Sequence, residues 1–315
     1  MRILITGGAG YLGSVITPLC LQQGYAVTVL DSFMYNQISL LDCCHYKNLT
    51  IVRGDARDKD LLKKLMKDVD AIFPLACLTG APLCDQRPKE AEEVVIDGLH
   101  HILSLRTPKQ KIIYPTTNSG YGVGEKGKFC TEETPLRPIS LYGRLKVQAE
   151  NEVLAAGNGI TLRLATAFGV SARMRLDLLV NDFTHQAVKV GRLELFEGHF
   201  KRNYIHVRDV GRAFIHGLNH FDSMKNQPYN VGLSDANLSK LELCEEIKKH
   251  VPGFTFLESN KGQDPDKRDY IVSNEKIEKS GFATEVSLSD GIQELIKAFT
   301  IINQGKEVRT RLANV

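Results

Sequence analysis

Tyr142 and Lys146 stand four positions apart, so on a helix they share one face. A free tyrosine ionises near pH ~10 and is a poor base at neutrality. A neighbouring ammonium favours the phenolate, so the pair predicts a tyrosine whose pKa falls and whose oxygen can take a proton from an alcohol. Upstream, Pro115-Thr116-Thr117-Asn118-Ser119-Gly120-Tyr121-Gly122 gathers hydroxyls at what reads as a strand end. Thr117 is placed there to donate to, or accept from, the reacting oxygen. A bare Tyr-x-x-x-Lys is common on helix surfaces, so its meaning depends on the elements that position it.

Those elements begin at residue 2. Arg2 to Thr6 reads as a buried parallel strand. Gly7-Gly8-Ala9-Gly10-Tyr11-Leu12-Gly13 follows, then a helical stretch from Tyr11 to about Gln23, then a strand from Ala26 to Leu30 that ends at Asp31. Gly7 permits the turn off the strand, Gly10 lets backbone approach a pyrophosphate, and Gly13 lets the helix pack against the strand. The helix N-terminus offers unpaired N–H groups to the phosphates. Asp31 can accept from both hydroxyls of a ribose. No Lys or Arg lies between Asp31 and Cys44 to offset a 2′-phosphate, which favours NAD over NADP. An oxidised nicotinamide beside it adds a second positive charge that, with Lys146, favours the phenolate. Tyr142 would then take the hydroxyl proton while hydride leaves the same carbon, and Lys146 would also bond the nicotinamide ribose.

Further strands are expected at Leu49–Arg53, Ala71–Leu75, Lys111–Tyr114 and Ile160–Leu164. Helices are expected at Asp58–Lys67 and Pro88–Leu105, and after Pro138-Ile139-Ser140, with residues 76–82 as a loop. Strand–helix alternation over this length predicts a doubly wound parallel Rossmann sheet of the α/β class. Asp55, after the third strand, suits an adenine amino group or an ordinary strand-end cap equally. Beyond Gly169 the rhythm changes. Helical stretches are expected at Met174–Lys189, from Asp209, and at Leu238–His250 and Leu288–Ile302. Strands are expected at Leu193–Phe196, Arg202–Val207, Tyr229–Gly232 and Phe254–Leu257. The division expected is a dinucleotide-binding domain over 1–169 plus about 203–232, a smaller α/β substrate-binding lobe over about 170–202 plus 233–303, and a loose polar tail over 304–315. His206 and Asp209 read as a satisfied histidine and a helix cap.

The 315 residues carry a net charge of +3, which argues against a general nucleic-acid binder. No apolar run approaches the length of a membrane span, and a chain that starts as a strand is not expected to start as a signal peptide. Seven cysteines without metal spacing suggest a reducing compartment, hence the cytoplasm, and no metal site.

Taken together, Gly7-x-x-Gly10-x-x-Gly13, Asp31, Asp55, Thr117, Tyr142-x-x-x-Lys146, Arg202-Asn203-Tyr204-Ile205-His206-Val207-x-Asp209-Val210 and Tyr229-Asn230-Val231-Gly232 resemble the extended short-chain dehydrogenases/reductases of the nucleotide-sugar epimerase/dehydratase family. The resemblance runs to about Ala298. It implies Tyr142, Lys146 and Thr117 as catalytic residues. It implies an NAD site formed by Gly7, Gly10, Tyr11, Leu12, Gly13, Asp31, Asp55, Ala56, Leu75 and Ala76, with Tyr142 and Lys146. Thr79, Asn118, Ser119, Arg175 and Asn181 would face the substrate, Phe196 would stack on its base or serve as core, and Arg202 and Arg268 would clamp its diphosphate. The 4,6-dehydratases of this family carry Asp-Glu directly after the catalytic Thr. Asn118-Ser119 cannot act as general acids, so dehydration is not expected. Pro74 and Thr166 stand where the family usually has His and Asn, and Thr79 where UDP-galactose 4-epimerase has a Lys that helps hold the cofactor.

The run Arg173 to Phe183 resembles a branch that includes dehydrogenases of GDP-manno-heptose, so a GDP-sugar is favoured and oxidation at C4 expected. Arg173 and Arg175 would face a substrate phosphate or sugar. A 4-epimerase passing through a 4-keto sugar, or a 4-keto reductase, would use the same residues. A non-catalytic NAD-binding scaffold would need no base, and the joint presence of Thr117, Tyr142 and Lys146 speaks against it. Relatives pair through helices equivalent to Pro88–Leu105 and Leu141–Glu150, which implies a homodimer.

Overall fold

In strand β1 (Arg2–Thr6), Ile3 and Ile5 belong to one apolar cluster and Leu4 to another, and none of the three is exposed. Alternation with both faces buried is the pattern of a parallel sheet covered on two sides. The structure, a computed structural model, describes residues 1–259 and 268–302. The Asp264–Lys267 run before Arg268 and the tail after Gln304 lie outside the described residues.

Six further strands join β1: β2 (Ala26–Asp31), β3 (Leu49–Arg53), β4 (Ala71–Pro74), β5 (Lys111–Thr117), β7 (Gly159–Leu164) and β11 (Gln227–Val231), with β6 (Phe129–Cys130) lying outside this sheet. Their order is β11-β7-β5-β4-β1-β2-β3, and every pairing is parallel. The chain reverses direction between β1 and β4, so the loops after Thr6 and Pro74 diverge and leave a crevice at the strands' carboxyl ends. One face is covered by α1 (Gly13–Gln22) and by α8 (Val207–Asn219). On the other lie α2 (Lys59–Leu65), α3 (Ala81–Gln86) and α6 (Leu141–Ala155). A continuous helical run also lies there, from α4 (Pro88–Glu92) through a π turn (Glu93–Asp97) into α5 (Gly98–Leu105). A third cluster, including Phe183, Tyr204, Leu243, Ile292 and Phe299, unites α7 (Leu179–Lys189), α10 (Lys240–His250) and α12 (Leu288–Ile301). The short helices α9 (Phe221–Met224) and α11 (Glu275–Lys279) complete the described set. Three small sheets accompany it. β8 (Thr166–Phe168), β10 (Lys201–His206) and β12 (Asn237–Ser239) form one, β9 (Arg192–Leu195) pairs with β13 (Thr255–Glu258), and β14 (Ile271–Val272) pairs with β6.

Three differences from the sequence reading have local causes. β5 runs on through Pro115 to Thr117 instead of ending at Tyr114. Its odd positions turn toward β4, as Lys111 N–H shows by donating to Asp70, but β4 pairs no further than Ile112. The missing N–H of Pro115 therefore leaves no partner unsatisfied. Residues 174–178 are not helical, because the Asn181 amide captures the Arg175 carbonyl at 2.8 Å and holds the segment open. Leu238 sits in β12, and helix α10 starts after Ser239, which forms a capping box with Glu242. His206 accepts from the Arg208 N–H and caps α8.

Helix α6 is fixed at its start and along its length. Ser140 accepts from the Gly143 N–H at 3.1 Å. Further along, Glu150, 1% exposed, meets Arg163 of β7 at 2.7 Å, and Arg163 also donates to the Tyr121 hydroxyl and the Glu132 carbonyl. Removing one partner from such a buried pair strands the other's charge. Glu150→Gln is expected to lower unfolding stability by about 3–5 kcal/mol in a urea titration, and Glu150→Leu combined with Arg163→Met to recover most of that loss.

Candidate active site

The crevice at the carboxyl ends of β1 and β4 opens into a cavity of about 420 Å³. At one end lies the glycine loop. Gly7 has φ +72, and a Cβ there would come within 2.7 Å of the Ala76 nitrogen. A Cβ on Gly13 would lie 2.5 Å from the Gly7 carbonyl oxygen. The loop therefore folds only around hydrogen at these positions, and it delivers the first turn of α1 to the cavity. At the end of β2, the buried Asp31 accepts from Ala9 N–H at 2.9 Å, Phe33 N–H at 2.8 Å and the Gln37 amide at 3.2 Å. Burial raises its pKa against the pull of these donors. Gly7, Gly10, Tyr11, Leu12, Gly13, Asp31, Asp55, Ala56, Leu75 and Ala76 all line the cavity. Asp55 has both oxygens engaged by the Arg57 guanidinium and accepts from the Arg57 N–H, so it makes the strand-end turn and not an open acceptor. The Tyr11 hydroxyl donates to the Gly169 carbonyl at 2.8 Å, tying the loop to the segment after β8.

At the other end α6 brings in Tyr142 and, one turn on, Lys146. Lys146 is 3% exposed. Its Nζ donates to the Pro115 carbonyl at 2.8 Å and the Tyr114 hydroxyl at 3.2 Å, and it lies 4.4 Å from the centre of the Tyr114 ring. The Pro115 carbonyl is available because it faces the side of β5 that β4 no longer covers. Thr117, the last residue of β5, donates to the Ser119 hydroxyl at 2.9 Å and accepts from the Ser119 N–H. The expected fall in the Tyr142 pKa rests on Lys146 and a nicotinamide together, and Lys146 alone does not produce it. Burial pushes the phenol up to about 12, and the Lys146 charge lowers it without overcoming that effect. One ammonium does not outweigh the desolvation of a phenolate in this cavity.

Of the residues expected to face the substrate, Thr79, Ser119, Arg175 and Arg268 line this same cavity. Arg175 pairs with Asp177, its Nε 3.1 Å from Oδ1, and Arg268 donates to the Ser119 hydroxyl. Asn118, Asn181, Phe196 and Arg202 do not line it. Asn118 is 1% exposed, and neither atom of its amide has a hydrogen-bond partner among the described residues. Asn181 is spent on backbone, accepting from Gly169 N–H and donating to the Arg175 carbonyl. The Phe196 carbonyl accepts from Lys240 at 2.8 Å. Arg202 donates to the Lys201 carbonyl and lies 5.7 Å from the ring of Tyr270, which itself lines the cavity. Cys77 lines the cavity from the 76–82 loop, whose place at a strand's carboxyl end points it at the crevice, and Tyr35 and Gln37 line it without any sequence signal. They sit on irregular loops, where no periodicity reports direction.

A glycine cradle closed to any Cβ, a helix N-terminus and an acid at the ribose end fit a dinucleotide, and the molecule is a dinucleotide-binding α/β protein. The NAD dependent epimerase/dehydratase family model matches residues 3–232, most of the chain, and the protein belongs to that family. It is an enzyme of the extended short-chain dehydrogenase/reductase type, with NAD as its cofactor. It is similar to the low-salt glycan biosynthesis protein Agl12 of Haloferax volcanii, at 28% identity over 94% of this chain and 97% of that protein. It is also similar to UDP-glucose 4-epimerase of Lactobacillus helveticus, at 26% identity over 84% and 87%. Its fold matches dTDP-glucose 4,6-dehydratase from Bacillus anthracis in complex with NAD, with a TM-score of 0.83 at 24% identity over 99% of each chain.

Gly13→Ala tests the cradle. The variant should keep its fold by circular dichroism and lose NAD binding by calorimetry, because the added methyl displaces the Gly7 carbonyl.

Proposed function

We propose that the protein oxidises a hydroxyl of a nucleotide-diphosphate sugar, at C4, as a 4-dehydrogenase such as one acting on GDP-manno-heptose. The observation that carries this reading is that Tyr142, Lys146 and the glycine loop open into one cavity. Bound NAD supplies the acceptor for the electron pair. The chain supplies the rest. Tyr142 takes the hydroxyl proton, Lys146 stabilises the phenolate that does so, and Thr117 holds the reacting oxygen. Arg175 and Thr79 sit where they can orient the sugar, and Arg268 where it can meet a phosphate. A second reading, a 4-epimerase through a transient 4-keto sugar, is supported by the 26% identity to a UDP-glucose 4-epimerase.

The seven free cysteines support a reducing compartment such as the cytoplasm. No helix among the described residues is long and apolar enough to cross a membrane. The lobe around α7, α10 and α12, with the strands between them, is the proposed nucleotide-sugar domain. A homodimer on the Pro88–Leu105 and Leu141–Glu150 helices would be carried by polar outer residues such as His100, Arg144 and Gln148. Leu99, Ile102, Leu145 and Ala149 are buried within the protomer.

Incubation with GDP-, UDP-, CDP- and dTDP-sugars, followed by nicotinamide absorbance and sugar NMR, separates the readings. Net NADH with a keto sugar selects the dehydrogenase, and an inverted sugar without net NADH selects the epimerase. Tyr142→Phe should lower turnover by about 10²–10⁴-fold with NAD binding intact, whereas a scaffold would keep its function. Because the phenol is mostly protonated at neutrality, kcat/KM should rise with pH. Lys146→Met removes the charge that favours phenolate, so the rising limb should move to higher pH.

A further inference from the structure

The sequence sets Arg173 on the substrate side of the site; in the structure it lies at the end of the cavity that Tyr35 and Asp31 line. It is 4% exposed and lines the cavity. Its guanidinium lies 4.5 Å from the centre of the Tyr35 ring, in the loop that follows β2, and donates to the Met174 carbonyl. Its charge is felt at the Asp31 carboxyl. The backbone beside it is fastened to the first turn of α1. The Arg173 N–H donates to the Ser14 hydroxyl at 3.3 Å, Ser14 and Ser171 hydroxyls are 2.7 Å apart, and Ser171 donates to the Tyr11 carbonyl at 2.8 Å. The guanidinium is thus held between the N-terminus of α1, where a diphosphate is met, and Asp31, where a ribose is met.

We propose that Arg173, stacked on Tyr35, is a cofactor-binding residue that grips a phosphate of the dinucleotide from the side opposite the glycine loop. The inference rests on the reading of this cavity as the NAD site. A guanidinium has the right shape for both contacts, since its planar fork pairs with phosphate oxygens while its face rests on an aromatic ring. Withdrawing its charge from water is costly, and a phosphate beside it offsets that cost. The residue lies 142 positions from Asp31 in the sequence. The absence of a cation between Asp31 and Cys44 therefore does not leave this end of the cofactor without one.

Calorimetry on the full-length protein with NAD, ADP-ribose, adenosine and NADP tests this. Arg173→Gln should weaken NAD and ADP-ribose about tenfold or more, the effect of losing a hydrogen bond to a charged group, and leave adenosine unchanged. Tyr35→Ala, which removes the ring under the guanidinium, should bind NAD more weakly. Should Arg173→Gln fail to fold, Arg173→Lys keeps the charge without the fork and should show a smaller loss confined to the phosphate-bearing ligands. Equal NAD and ADP-ribose affinity in a folded variant overturns the proposal, as does an equal loss for adenosine, which would mark a structural role. Wild-type preference for NADP overturns the assignment to a phosphate shared by NAD and ADP-ribose, and points to a 2′-phosphate. Failure of the wild type to bind NAD at all would instead overturn the reading of the cavity.

Discussion

A buried ammonium must be given oxygens to bond, and the structure depends on how Lys146 obtains them. β4 is short. It stops pairing with β5 at Ile112, so the last odd-numbered carbonyls of β5 have no strand beside them. Lys146 takes the Pro115 carbonyl there and rests against the Tyr114 ring. A longer β4 would have claimed that carbonyl for the sheet, and a residue other than proline would have left an N–H open on the same side. The place of the ammonium fixes the place of the phenol one turn before it. The depth of α6 is then held by Ser140 at its start and by the Glu150–Arg163 pair beneath it.

The opposite end of the cavity obeys a steric constraint. The backbone of the glycine loop and that of residues 75–76 approach until no Cβ fits between them. The two halves of the chain are joined at the same place. Tyr11 reaches from the loop to Gly169, and Asn181 reaches from α7 to both Gly169 and Arg175. Those few polar side chains decide where the 171–177 segment runs. Arg173 and Arg175 follow from it, the first toward Tyr35 and the second toward Asp177 and Gly80. Asn181 contributes to the site by shaping this segment.

The first β-α-β unit is legible in the sequence because three constraints coincide within thirty-one residues: apolar alternation, glycine spacing and a terminal acid. Tyr142 and Lys146 are legible because helical spacing alone puts them on one face. The Met174–Leu178 segment is not, since its apolar pattern suits a helix and only the Asn181 amide, from the next element, prevents one. Arg202 and Arg268 look alike as motif arginines. Yet Arg268, on the irregular stretch before β14, lines the cavity, while Arg202, on β10, is turned onto the Lys201 carbonyl beside Tyr270, and no motif spacing reveals that difference. The direction of the Tyr142 pKa escapes the sequence for a related reason. Spacing reveals the neighbouring charge, but it does not reveal how much water the cavity excludes.

That exclusion of water need not oppose catalysis. In a medium of low effective dielectric every charge acts more strongly than it would in water. The burial that holds Tyr142 protonated therefore also strengthens the pull of Lys146 upon it, and of any further positive charge a ligand brings near. Arg175, paired with Asp177, lowers the phenol's pKa only weakly, and burial keeps the phenol neutral at rest. Under the proposed reading, a tyrosine held in this way would act as a base only when the cavity is filled, and donors already fixed by the fold would need no rearrangement at that moment.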